Sequence, residues 1–184
     1  GGVAALEETL GLLGSAEKRL AELCFRHLGD DQSQLESRRA LERARDWYRA
    51  AFEANPSHHW SGVQYLVLDA ALTGTVDTED WKTAYRAAEV DRRRPNEYWA
   101  QGSLAELALL DQLVHQGTDL SAEAYLNEMK ERIAAMNEAP AYNPLTATRL
   151  QLARYVHWWR QDRGFFPGAS DLASEAERLA ALLV

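Results

Sequence analysis

Apolar residues recur at helical spacing along nearly the whole chain, and no stretch alternates as a half-buried strand would. Leu6, Leu10, Leu13, Leu20 and Cys24 fall at steps of three, four and seven, giving one face of a first helix over roughly residues 3–28. Gly29-Asp30-Asp31 breaks it, and Ser33-Gln34-Leu35-Glu36 has the pattern of a capping box that opens the next helix. Leu41, Ala44, Tyr48 and Ala51 mark that second helix, which Pro56 ends because its ring clashes with the preceding turn. A third helix carries Trp60, Val63, Val67 and Ala70 and stops at Gly74; a fourth follows Asp77, with Trp81, Tyr85 and Ala88.

The second half repeats this pattern. Asn96 is expected to cap a fifth helix with Trp99, Ser103, Leu107 and Leu110, closed by Gly117. A sixth carries Tyr125, Met129, Ile133 and Met136 up to Pro140. Asn143-Pro144 reads as a cap followed by proline at the first helical position, where the missing N–H costs nothing. The seventh helix bears Leu152, Tyr155 and Trp159 up to Gly164, and Ser170 opens an eighth with Leu172, Ala176, Leu179 and Leu183.

The prolines give the repeat length: Pro56 to Pro95 is 39 residues and Pro95 to Pro140 is 45. An aromatic follows each of them: Trp60, Trp99 and Tyr142. Two helices per unit at such a period indicate a solenoid. Ala44, Tyr48, Ala51 and Pro56 fit the second helix of a tetratricopeptide unit: small residues allow close approach, the aromatic fills the gap, and proline ends the helix. The expected fold is all-α, a tetratricopeptide-like α-solenoid of about four antiparallel helix pairs, with residues 1–184 as one helical-repeat domain. The apolar Leu182-Leu183-Val184 end leads us to expect a piece of a longer protein.

Several blocks occur in the order seen in one family. Leu13-Gly14-Ser15-Ala16-Glu17-Lys18-Arg19-Leu20-Ala21, Ala44-Arg45-Asp46-Trp47-Tyr48 through Phe52, His59-Trp60-Ser61-Gly62-Val63-Gln64, and Tyr98-Trp99 with the leucine-rich run to Leu110 resemble the TRAFs-binding tetratricopeptide domain. That family is known from the regulatory region of the apoptosis-signal-regulating mitogen-activated protein kinase kinase kinases and from bacterial proteins that carry effector modules. Gln64 stands where the family has Asn. The resemblance, over roughly residues 10–160, implies a regulatory interaction module rather than an enzyme.

Composition narrows the partners. With 46% apolar and 26% charged residues the chain can bury a core. A net charge of −8 disfavours general nucleic-acid binding, which needs a basic surface. No apolar run reaches the ~18 residues of a membrane span, and no leader peptide is visible. Cys24 alone excludes an internal disulfide and suits a reducing, cytoplasmic setting. The excess of Arg over Lys points to a bacterial genome. No His-Glu-x-x-His or phosphate-binding glycine loop occurs, so no metal or cofactor is expected. Cys24, on the apolar stripe, reads as a buried, inert thiol, and the Arg-rich second helix as a solvated face.

The candidate site is the concave surface, lined by the first helix of each pair. Aligning Gly14 with the motif glycine places Ser15, Lys18 and Arg19 there. Aligning Trp60 with the motif aromatic adds His58, Ser61, Tyr65, Leu68 and Asp69; aligning Trp99 adds Glu97, Ala100, Leu104 and Leu107. Lys18 and Arg19 have the chemistry to clamp a carboxylate or an acidic peptide, so the expected partner is a protein, a peptide or an effector domain of the same chain. Two other readings are a helical oligomerisation module and a small-molecule-binding enzyme domain.

Overall fold

A computed structural model of the protein describes residues 2–27, 31–94, 97–136, 143–159 and 170–184; the side chains of Arg26, His27, Asp31, Ser170 and Asp171 are left aside. The described residues form eight helices and no strand. They are α1 (Gly2–His27), α2 (Asp31–Ala54), α3 (His59–Thr73), α4 (Thr78–Arg92), α5 (Trp99–Val114), α6 (Ala122–Ala134), α7 (Pro144–Trp159) and α8 (Ser170–Ala181). This is the tetratricopeptide-like all-α solenoid expected from the sequence.

Each helix from α1 to α6 packs against the next, and α7 packs against α8. Along α1, Gly14, Glu17 and Ala21 meet Tyr48, Arg43 and Ser37, so the two helices run in opposite directions. The α2 motif packs as its chemistry dictates: Ala44, Tyr48 and Ala51 have no exposed surface. A Cβ on Gly14 would lie 2.9 Å from the Tyr48 ring, and one on Gly62 would lie 2.8 Å from Phe52. Glycine is required at both positions because a large ring of α2 lies directly against the backbone of the helix it packs on. The Trp60 ring stands edge-on to Tyr48 at 5.4 Å between centroids. Further along, the Trp81 indole donates to the Leu107 carbonyl at 3.0 Å, tying α4 to α5. α3 and α5 are buried on nearly every side.

Several helix ends match the sequence. The Asp77 carboxylate accepts from the Glu79 and Asp80 amides at 2.9 Å. The Asn143 side chain accepts from the Leu145 and Thr146 amides, with Pro144 opening α7. Other ends differ. α2 starts at Asp31, so Ser33 lies buried within its first turn and does not cap it. α5 ends at Val114, before Gly117, because His115 takes the left-handed conformation (φ 51°) and the Asp111 side chain accepts from the Gln116 and Gly117 amides. α6 starts under a cap from Ser121 and ends at Ala134, before Met136. The Gly29-Asp30 break, Pro95, Asn96, Pro140, Tyr142 and Gly164 lie outside the described residues, as does the side chain of Ser170.

The leucine stripe of α1 is not its packed face. Leu6, Leu13 and Leu20 are exposed and Cys24 is only half-buried. The buried face is Glu7, Gly11, Gly14, Lys18 and Ala21. Small residues stand there because Tyr48 and Trp60 supply the bulk from the neighbouring helices. Trp158 and Trp159 are both core residues, against Tyr155.

Candidate functional site

The inner faces of α1, α3, α5 and α7 line an open cavity of about 650 Å³. Such a volume lies within the ~300–1,000 Å³ of small-ligand pockets. Each of the four helices sends a polar side chain to a buried network at its edge: Lys18 from α1, Gln64 from α3, Glu106 from α5, and Gln151 with Tyr155 from α7. The Lys18 ammonium donates to the amide oxygens of Gln64 and of Gln151, the latter at 3.2 Å. The Gln151 amide donates to Gln64 at 3.2 Å and to the Tyr155 oxygen at 2.8 Å, and Tyr155 in turn donates to the Glu106 carboxylate.

Burial sets the electrostatics of this network. It lowers the pKa of Lys18, helped by the nearby Arg154 guanidinium and opposed by Glu106 and Glu22. It raises that of Glu106, opposed by the hydrogen bond from Tyr155 and by Lys18. The Tyr155 phenol is raised by burial and by Glu106, so it stays protonated and donates. Burial also pushes the Tyr48 phenol upward.

A second polar cluster sits between α3, α4 and α5. His59 Nδ1 is 2.9 Å from Ser103 Oγ, and its Nε2 is 3.6 Å from an Asp91 oxygen. Burial pushes His59 down to about 4, so at neutral pH the ring is uncharged. We assign the tautomer in which Nε2–H faces Asp91 and Nδ1 accepts from the Ser103 hydroxyl. Ser103 lies mid-helix, where the backbone amides are committed to the helix. At the start of α3, the preceding His58 through Nδ1 and Ser61 through its hydroxyl both meet the buried Glu7 carboxylate at 2.7 Å.

The rim combines aromatic faces with charge. Trp60 and Trp99 line the cavity and each remains 37% exposed. Arg94 pairs with Asp91 at 2.9 Å and Arg154 with Glu22 at 2.8 Å. Arg19, exposed on α1, has no hydrogen bond or ion pair among the described residues.

Of the residues expected on the concave face, Ser15, Lys18, Arg19, His58 and Glu97 line the cavity. Ser61 is fully buried against Glu7, and Leu104 is core. Tyr65 packs on Phe52 under the Arg49 guanidinium, and Asp69 faces Arg45 at 3.6 Å; both lie away from the cavity. Leu68, Ala100 and Leu107 are buried too. Lys18 is buried and bonded to two amides, not paired with Glu17 or Glu22. Sequence reasoning missed Gln64, Glu106, Gln151 and Arg154 as site residues. The one local signal is the spacing of Gln151, Arg154 and Tyr155, which places three polar groups on one face of α7.

A family model described as Tetratricopeptide Repeats-Sensor matches residues 3–69, covering α1, α2 and most of α3. That match supports a tetratricopeptide-like family and fits a protein-interaction or regulatory helical module. No curated protein and no solved structure matches the chain. Among the described residues no helix is long and apolar enough to cross a membrane, and no group of three His, Cys, Asp or Glu side chains is placed to hold a metal ion.

Proposed function

We propose that this chain is a non-catalytic recognition module whose concave cavity receives the acidic group of a peptide or protein segment. The observation that carries the reading is the exposed Arg19 guanidinium, without a hydrogen bond or ion pair among the described residues, beside the buried Lys18 on a cavity flanked by Trp60 and Trp99. An exposed guanidinium is available for a bidentate bond to a carboxylate. A half-exposed indole offers a flat apolar face at low entropic cost. The rigid stack presents these groups preformed, which lowers the ordering cost of binding. The resemblance to the TRAFs-binding domains suggests a regulatory role, with an effector domain of the same protein as one occupant and the bacterial cytoplasm as its setting.

A small planar anion is the second reading. It is favoured by the volume of the cavity and by the two tryptophan faces on its rim.

The test is fluorescence polarisation with labelled peptides that differ only in charge: Asp and Glu against Asn and Gln, and a free against an amidated C-terminus. The acidic members are expected to bind, and Arg19→Glu is expected to weaken them at least tenfold. Equal binding of charged and uncharged peptides, or indifference to Arg19→Glu, would refute the acidic-group reading. Binding by small aromatic anions alone would move the assignment to the second one.

A further inference from the structure

Among the described residues the backbone of α1 packs mainly against α2, and its side chains Glu7, Lys18 and Glu22 reach α3 and α7. The side turned away from these neighbours is apolar. Leu6, Leu12, Leu13, Leu20 and Leu23 are between 41% and 66% exposed. The exposed Ala5, Thr9 and Ala16 fill the spaces between them. Steps of three, four and seven put these residues on one face of the helix. Between Ala5 and Leu23 no charged residue interrupts that face. Glu7 and Lys18 are buried, Glu17 pairs with Arg43 of α2, and Glu22 pairs with Arg154 of α7. Glu8 and Arg19 lie along one edge of the stripe. The outward side of α2 is different: it exposes Arg38, Arg39, Asp46 and Arg49.

Single exposed leucines are ordinary, whereas a contiguous apolar stripe marks a contact surface. Three features bear on its occupant. A stripe without charge offers nothing for a charged partner to pair with, so the matching surface is uncharged over the same length. The spacing is also self-complementary. With a second α1 laid antiparallel and a two-fold axis level with Gly14, Leu12 falls opposite Ala16 of the second copy and Leu23 opposite its Ala5, large against small each time. The same axis brings Glu8 beside Arg19 of the second copy, so opposite charges meet at the edge. That exposed pair contributes little by itself and leaves Arg19 open to a ligand. The size fits as well. The 26 residues of α1 make it about 39 Å long, and α2 alongside widens the face to about 20 Å. The resulting area of about 800 Å² is what each partner gives to a standard specific interface.

We infer that the chain forms a two-fold dimer in which α1 packs antiparallel on α1 of a second copy. Leu12, Ala16 and Leu23 are the centre of the interface, and the charged side of α2 around Trp47 is its rim. No residue of the stripe lines the cavity, so the dimer contact and the cavity use different sides of α1.

Sedimentation velocity of the full chain over a dilution series tests this. The parent should sediment at twice its 20.7 kDa and dissociate on dilution. Leu12→Lys and Ala16→Glu each set a charge against an apolar side chain of the second copy. Each should weaken association at least a hundredfold while helical circular dichroism stays unchanged, because both positions are exposed. Mixing the two variants sets the new ammonium against the new carboxylate and should restore a dimer. A parent that stays monomeric at hundreds of micromolar would overturn the inference, whether the stripe then proves to bind a lipid surface or another protein. So would a dimer that persists in both single variants, or a mixture of the two that stays monomeric.

Discussion

His59 should make the fold sensitive to mild acid. Its ring is buried between Ser103 and Asp91, and burial lowers it from the usual 6.5 to about 4. In the unfolded chain the same imidazole takes up its proton near pH 6.5. Between those values the unfolded state holds more protons than the folded one, so stability falls as pH falls. The contribution is fully present above pH 6.5 and is lost by about pH 4, a difference of about 3 kcal/mol from the size of the shift. His59→Gln removes the titration while its amide can still accept from Ser103 and donate toward Asp91. Urea unfolding at pH 7 and pH 4.5 reads the effect. The parent should lose about 2–3 kcal/mol more across that interval than His59→Gln, the carboxylates that titrate in both chains cancelling in the comparison. Equal losses would show that His59 takes up its proton as readily in the fold as in the unfolded chain and would refute the lowering of its pKa by burial.

Other consequences follow from packing and capping. Gly62→Ala gains helix propensity but drives a Cβ to 2.8 Å from Phe52 and 3.1 Å from Ala84. It should destabilise by about 1–2 kcal/mol net and lower Tm by about 3–6 °C, as read by thermal circular dichroism; a gain in stability would contradict the close approach of α2 to α3. Asp77→Ala leaves the Glu79 and Asp80 amides without their cap and should cost about 1 kcal/mol in urea unfolding, with Asp77→Ser recovering most of it.

The architecture was legible wherever a local rule decides the outcome. Ala44, Tyr48 and Ala51 announce close packing by size alone, and Asp77 and Asn143-Pro144 announce helix starts by hydrogen-bonding chemistry. The α1 stripe misled because periodicity locates apolar residues without saying which neighbour supplies the bulk. Where Tyr48 and Trp60 press inward, the buried positions must be small or polar, so Gly11, Gly14 and Lys18 face the interior and Leu6, Leu13 and Leu20 face out. Half the candidate site was readable for the same reason. Ser15, Lys18 and Arg19 follow from the position of Gly14 in its unit. Gln64, Glu106 and Gln151 come from three further helices far apart in the chain, and only their stacking in space brings them together. Tyr65, Asp69 and Leu104 were misplaced because α3 and α5 are wrapped by other helices on nearly every side, leaving only a narrow strip of each facing the cavity.

The concave cavity as the recognition surface can be tested with three tryptophans of equal exposure. Trp47, Trp60 and Trp99 are each 37% exposed, but only Trp60 and Trp99 line the cavity. Their indole N–H resonances can be followed in nitrogen-15 NMR while the tightest-binding acidic peptide of the polarisation panel is titrated in. Saturable shifts of the Trp60 and Trp99 signals with Trp47 unmoved are the predicted result. Shifts at Trp47 with Trp60 and Trp99 unmoved would contradict it.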